Sequence, residues 1–273
     1  MSIYLTKRTN MFASNRLIYC FFISSILVLS TCKSDDEPQP ARTFADVEAD
    51  FQAIDLSPGI HDISLEIVNG VYFDFRVIAP ERAVGEKRPM ILALHGASGG
   101  AADAHKNTDC YIEPGLEILN AFILSPNGGT DLWYDNSNQE KVGILMSLAI
   151  DYWPIELDKI AVTGYSNGGN GSWFFGEFQS NTLSAAIPMA SSYNVYNTDN
   201  TVRVMDIPMY VIHGENDELF PLEETQGWVE ATIDAGSDIT FVVAPDLGHY
   251  TPCEYVPYLK EAAIWLKETV WMD

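Results

Sequence analysis

Hydrophobic positions first recur in residues 43–56, where Phe44, Val47, Phe51 and Ile54 fall at helical spacing behind Thr43. Asp46 stands three residues after Thr43, a capping-box variant that predicts a helix start there. The period then changes. Residues 63–68 and 71–78 alternate apolar and polar side chains on either side of Asn69-Gly70, the dipeptide best suited to a two-residue hairpin turn. From residue 90 the alternation gives way to short continuous apolar runs: 90–95 (MILALH), 121–124, 160–163, 185–188, 209–213 and 239–244. Segments long enough for helices separate most of them, and residues 257–271 close the chain as an amphipathic helix. Strands that are apolar on both sides need cover on both faces. The pattern predicts one α/β domain over residues 43–273, with helices on both faces of a mostly parallel sheet and an antiparallel hairpin at its start. No second domain is expected.

The segment before residue 43 reads as an address. Residues 1–16 hold Lys7, Arg8 and Arg16 and no acid, and residues 17–29 are thirteen uncharged positions. That length suits the core of a signal peptide and is too short to cross a bilayer as a helix. Leu29-Ser30-Thr31-Cys32 follows, then the polar run Lys33-Ser34-Asp35-Asp36-Glu37-Pro38-Gln39-Pro40. This resembles a bacterial lipoprotein signal, with Thr31 in place of the commoner Gly or Ala before the cysteine. The expected organisation is a signal peptide over 1–31, Cys32 as the lipidated residue, a polar tether over 32–42 and the domain over 43–273. Localisation follows as exported and lipid-anchored at the outer membrane or cell surface, with a plain periplasmic or secreted form as the alternative.

Charge narrows the partners. The 273 residues carry 38 acidic and 15 basic side chains, a net charge of −23. Loss of residues 1–31 removes three basic groups and no acids, so the mature chain stands at −26. Such a surface repels phosphate backbones and gains nothing from counterion release, which argues against nucleic acid. It also disfavours anionic substrates. No polybasic patch is present, so membrane attachment would come only from the lipid. Of four cysteines, Cys20 lies in the export segment and Cys32 at the lipid site. Cys110 and Cys253 remain as an even pair in an oxidising compartment, and a disulfide between them is expected. No metal-ligating constellation is apparent, no cofactor is implied, and a monomer is expected.

The chemistry gathers where strands end. The run 160–163 passes into Gly164-Tyr165-Ser166-Asn167-Gly168-Gly169, and an aromatic helical stretch follows. G-x-S-x-G alone is weak support, but between strand and helix it forms a tight turn that holds a serine hydroxyl exposed at the positive end of a helix. A serine hydroxyl needs a base. Of His61, His95, His105, His213 and His249, only His249 lies in a loop just past a strand at the carboxyl edge of the sheet without ending the strand itself. The imidazole needs a carboxylate to fix its tautomer. Glu215, Asp217 and Glu218 all follow the strand 209–213, and Asp217 is preferred because it precedes the Phe220-Pro221 step; the two glutamates read as solvated acidic surface. A tetrahedral oxyanion needs N–H donors. The backbone of Asn167 offers one, and the Gly-rich loop after MILALH offers Ala97 as first candidate for the other and Ser98 as second.

Taken together, HGASGG (95–100), SPNGG (125–129), GYSNGG (164–169), HGENDELFP (213–221) and LGHY (247–250) resemble an α/β-hydrolase of the secreted esterase and depolymerase type. The nearest groups are the polyhydroxybutyrate-depolymerase-like, feruloyl and acetylxylan esterases. The order Ser166, Asp217, His249, with gaps of 51 and 32, is that of α/β-hydrolases. The resemblance implies the same nucleophile, acid, base and oxyanion positions as the residues themselves.

Only sixteen residues lie between Ala190 and Ile207, where many lipases carry a helical cap, so an open, shallow site is expected. Trp133, Tyr134, Tyr165 and Tyr250 fall near the active edge by sequence and are candidates for stacking on sugar or phenolic rings; Trp173 reads as core. The expected activity is that of a serine esterase, a carboxylic ester hydrolase acting on a small or polymer-linked ester, such as acyl groups on a polysaccharide or a polyester. The alternatives are a serine peptidase of the same fold and a non-catalytic glycan-binding lipoprotein.

Overall fold

Helix α1 (Phe44–Gln52) opens on the expected box: the Thr43 side chain accepts from the backbone N–H of Asp46, and the Asp46 carboxylate accepts from that of Thr43 at 2.8 Å. In the computed structural model residues 40–272 are described, and contacts group the chain from Ala41 onward into one unit. The export segment and Cys32 lie outside the described residues. Arg42, placed in the tether by sequence, pairs with Asp50 and donates from its backbone to Asn69 at 2.8 Å, so it is fastened to the domain.

Among the described residues eight strands follow in chain order: β1 (Gly59–Val68), β2 (Val71–Ala79), β3 (Arg88–Leu94), β4 (Phe122–Pro126), β5 (Ile155–Tyr165), β6 (Ala185–Met189), β7 (Met209–Gly214) and β8 (Ile239–Ala244). They form one sheet in the order β1-β2-β4-β3-β5-β6-β7-β8. The hairpin β1–β2 closes with Val68 opposite Val71 and Gly70 at φ +80°, a conformation costly to any residue with a β-carbon. β2 also runs antiparallel to β4, and every later pairing is parallel. β5 begins earlier than its apolar run, because Glu156, Asp158 and Lys159 lie on a polar extension that re-pairs at Ile155 with Arg88.

The helices are α2 (Ile112–Leu116), α3 (Asn136–Tyr152), α4 (Asn167–Phe178), α5 (Leu222–Asp234) and α6 (Val256–Trp265), the last running into a π-helical turn at Leu266–Val270. Strand β3 displays the two-sided burial: Met90, Leu92 and Leu94 pack in the core with α1, α3 and α4, while Ile91 and Ala93 pack in a second core with α2 and α6. Between β6 and β7 the chain makes one isolated bridge, Tyr196 to Val202, and no helix. The fold is that of an α/β-hydrolase, with no large cap among the described residues. Its carboxyl edge collects the ends of β3, β5, β7 and β8, and with them the chemistry.

Candidate active site

β5 ends at Tyr165 and α4 starts at Asn167, so Ser166 alone turns the chain, at φ 57° and ψ −119°. A non-glycine residue at positive φ is strained and persists only where its surroundings hold it. Here they are backbone. A β-carbon on Gly168 would lie 2.0 Å from the carbonyl oxygen of Leu94, and one on Gly164 would lie 2.3 Å from that of Gly168. The N–H of Ser166 donates to Met189 at 3.0 Å, tying the turn to β6.

The Ser166 hydroxyl donates to Nε2 of His249 at 2.9 Å. With the ring in its Nδ1–H tautomer, His249 donates to both carboxylate oxygens of Asp217, at 2.9 and 3.1 Å. His249 and Asp217 are buried. Burial alone would push the Asp217 carboxyl up. The hydrogen bond from His249, the backbone N–H of Phe220 at 2.8 Å and the neighbouring imidazoles outweigh it and hold the group below its ordinary value. Asp217 is therefore a carboxylate at neutral pH, oriented before any substrate arrives.

Gly96 brings the loop after β3 against the nucleophile: its β-carbon, if present, would sit 3.5 Å from that of Ser166. Gly96 and Ala97 line, with Ser166, His249 and Tyr250, a cavity of about 330 Å³. Ser98 does not line it; its hydroxyl donates to the carbonyl of Gly129 at 3.1 Å. Of the two candidate donors from this loop, Ala97 is the one at the cavity. Asn167 opens α4, where first-turn N–H groups have no partner within the helix. Cys110 and Cys253 are joined in a disulfide, and their neighbours Tyr111 and Pro252 form part of the cavity wall.

The sequence profile of the dienelactone hydrolase family matches residues 130–272, which contain Ser166, Asp217 and His249. The chain belongs to the dienelactone hydrolase family. No curated protein matches it by sequence. Among solved structures it is similar to a thermostable esterase, at 22% identity and a TM-score of 0.62, over 77% of this chain and 62% of that one. It thus spans less than two thirds of that esterase. Fluorophosphonate-binding serine hydrolase F of Staphylococcus aureus is similar at 14% identity and a TM-score of 0.62, over 77% and 99% of the two chains. A ferulic acid esterase of Anaeromyces mucronatus gives 14% identity and a TM-score of 0.59, over 79% and 91%. These likenesses are likenesses of fold.

In this dienelactone hydrolase family member one sequence expectation is corrected and one is extended. Trp133, expected at the substrate, is fully buried: it packs on Gly128 and Gly171, and its indole N–H donates to the carbonyl of His95 at 2.8 Å. Glu215 and Glu218 are exposed, as read from the sequence, and their carboxylates also reach back across the sheet edge. Glu218 accepts from the backbone N–H of His249 at 2.8 Å, and Glu215 from that of Asp246 at 3.0 Å. The His249 bond is the first cause that holds the Glu218 carboxyl low. Two tyrosines complete the support: Tyr165 donates to the carbonyl of His249 and Tyr255 to that of Gly248. Tyr165 is thus a wall residue whose hydroxyl is already used, whereas Tyr250 is 72% exposed at the cavity mouth. Tyr134 lies at a different cavity, with Asn170 and Phe174.

Two other buried histidines, His95 and His213, are braces. His95 accepts from Gly128 N–H at 2.9 Å and donates to Gly96 at 2.6 Å; burial holds it below its ordinary value, against the pull of the Gly96 bond. His213 donates to Phe220 at 2.8 Å and is held neutral by burial, which the Phe220 bond and Asp217 only partly oppose. Among the described residues no group of His, Cys, Asp and Glu could hold a metal ion, and no helix is long and apolar enough to cross a membrane.

Proposed function

We propose that this protein is a serine carboxylester hydrolase working through an acyl-enzyme. The observation that carries the reading is the unbroken relay from Ser166 through His249 to Asp217, opening on a cavity that Gly96 and Ala97 share. As Ser166 Oγ attacks the ester carbonyl carbon, its proton passes to Nε2 of His249, and the imidazolium is stabilised by Asp217. The carbonyl oxygen, now negative, takes hydrogen bonds from the backbone N–H groups of Asn167 and Ala97; one such donor contributes about 3 kcal/mol to the barrier reduction. Collapse breaks the bond to the alcohol oxygen, which leaves with the proton from His249. Water then enters, gives a proton to His249 and attacks the acyl carbon, so that Ser166 departs with that proton and the carboxylic acid is released.

The substrate is a neutral ester, small or borne on a polymer such as a polysaccharide. The net charge of −23 disfavours anionic groups at the surface, and the short, helix-free connection between β6 and β7 supports access by bulky alcohols. Cys32 carries the lipid that tethers the enzyme outside the cytoplasm; mass spectrometry of the N-terminal peptide from membranes tests this. For the activity, a fluorophosphonate should label the wild type on Ser166 and p-nitrophenyl acetate should be turned over. Ser166→Ala should lose both. No labelling and no turnover in the wild type would refute the enzyme reading and leave a binding protein on a hydrolase scaffold.

A further inference from the structure

Helix α4 carries a stripe that the relay leaves unused. Asn170, Phe174 and Phe178 stand four, eight and twelve residues beyond Ser166, and side chains four apart share a helix face. At 1.5 Å per residue the stripe leads about 18 Å away from the nucleophile. It forms one wall of a cavity of about 420 Å³. The rest comes from Tyr134 in the loop after β4, and from Ser192, Tyr193, Asn194 and Arg203 in the connection after β6.

Two of the aromatic rings are exposed to water. Phe178 is 61% exposed and Tyr134 39%, with the Phe174 ring between them, its centroid 4.8 Å from that of Phe178 and 6.3 Å from that of Tyr134. Apolar planes grouped at the surface mark a contact site better than they serve the fold. The polar groups of the cavity point the same way. Asn170 Oδ1 accepts from the backbone of Ser192 at 3.0 Å and Asn194 Oδ1 from that of Tyr196 at 2.8 Å, which leaves both amide NH₂ groups to donate. The charge is cancelled in place: Arg203 lies 3.2 Å from Glu177 and over the Tyr193 ring, whose hydroxyl also donates to Glu177 at 2.7 Å. The cavity therefore has no unpaired positive charge to offer an anion. Flat apolar faces beside amide donors, with no net charge, match a neutral sugar, whose C–H face stacks on an aromatic ring while its oxygens accept hydrogen bonds. The length of the stripe suits a chain rather than one ring.

We propose that this track binds a neutral oligosaccharide chain and presents a pendant ester to Ser166. The ester part rests on the esterase reading above; the sugar site does not. The test reads binding alone, on full-length Ser166→Ala protein, by calorimetry with xylohexaose, cellohexaose and mannohexaose, with hexagalacturonate as anionic comparison and a soluble 3-hydroxybutyrate oligomer as polyester comparison. At least one neutral hexasaccharide should bind, and Phe178→Ala and Tyr134→Ala should each weaken it about tenfold. Both side chains are exposed enough for the variants to fold, which an unchanged urea midpoint verifies. Binding of none of the three neutral sugars overturns the proposal, as does binding of only the anionic or polyester probe, or binding indifferent to both substitutions. Sugar binding by a protein that turns over no ester would leave this site standing and remove the esterase reading instead.

Discussion

Replacing both disulfide cysteines by serine isolates what the covalent link contributes, because the segments it joins also pack on each other. Cys110 and Cys253 are 143 residues apart in the chain. In the chain-entropy description, closing a loop of that size withholds about 5 kcal/mol of conformational freedom from the unfolded chain at 25 °C, and removal of native disulfides typically costs about 2–5 kcal/mol. In the folded state the neighbouring helices remain in contact without the bond: a β-carbon on Gly115 of α2 would lie 2.5 Å from the Leu259 side chain of α6. The loss should therefore fall on stability far more than on the site. Urea unfolding followed by tryptophan fluorescence should give a double variant Cys110→Ser/Cys253→Ser less stable by about 3 kcal/mol, with a steeper denaturant dependence from its more expanded unfolded chain. Its kcat/KM for p-nitrophenyl acetate should stay within about threefold of wild type, because the cavity wall is kept by packing. A midpoint unchanged from wild type would refute the entropic argument, and a free-thiol count of two on the unreduced mature protein would remove the bond altogether.

Three further outcomes follow from the site and the hairpin. Gly168→Ala drives a β-carbon into the Leu94 carbonyl and should cost about 1–3 kcal/mol in urea unfolding while displacing Ser166 enough to lower kcat/KM more than about a hundredfold; wild-type kinetics would refute the backbone account of the turn. Glu218→Ala removes the acceptor for the His249 backbone and should lower kcat/KM about tenfold, whereas Glu218→Gln, which keeps an acceptor oxygen, should restore most of it; equal losses in both would show that charge rather than position matters. Asp62, held by Arg76 and Lys106, has its carboxyl lowered to about 2, chiefly by the Arg76 hydrogen bond. A lowered folded-state value stabilises above the unfolded value and is lost as pH falls through the folded one. Asp62→Asn should thus cost about 1 kcal/mol at pH 7, solvent screening allowed for, and the deficit should shrink between pH 4 and 2; a pH-independent deficit would contradict it.

The relay was legible in the sequence because each member lies in the loop or turn that follows a strand. Ser166, Asp217 and His249 lie beyond β5, β7 and β8, and parallel strands deliver their ends to one edge whatever the helices between them do. The support of the relay was not legible, for the opposite reason. Glu218 and His249 meet across 31 residues through a side chain reaching a backbone group, a contact with no periodicity behind it. Trp133 was misplaced because nearness to the edge in sequence says nothing of direction. Asn138 at the start of α3 bonds the carbonyls of Gly128, Asp131 and Leu132, winding that loop tightly and turning the indole inward. The early start of β5 was hidden by its polar residues, which sit on an extension of the sheet rather than in the core.

The bare connection between β6 and β7 also bears on how such an enzyme could diversify. Its exposed tip, closed by the Tyr196–Val202 bridge, hangs from a connection bonded to α4 and α5, whereas the base is fastened from Glu218, Glu215, Tyr165 and Tyr255. Doubling the length of a flexible loop adds only about 0.6 kcal/mol of closure cost. New sequence could be grafted there to roof the track, redirecting selectivity while the reacting groups stay as they are.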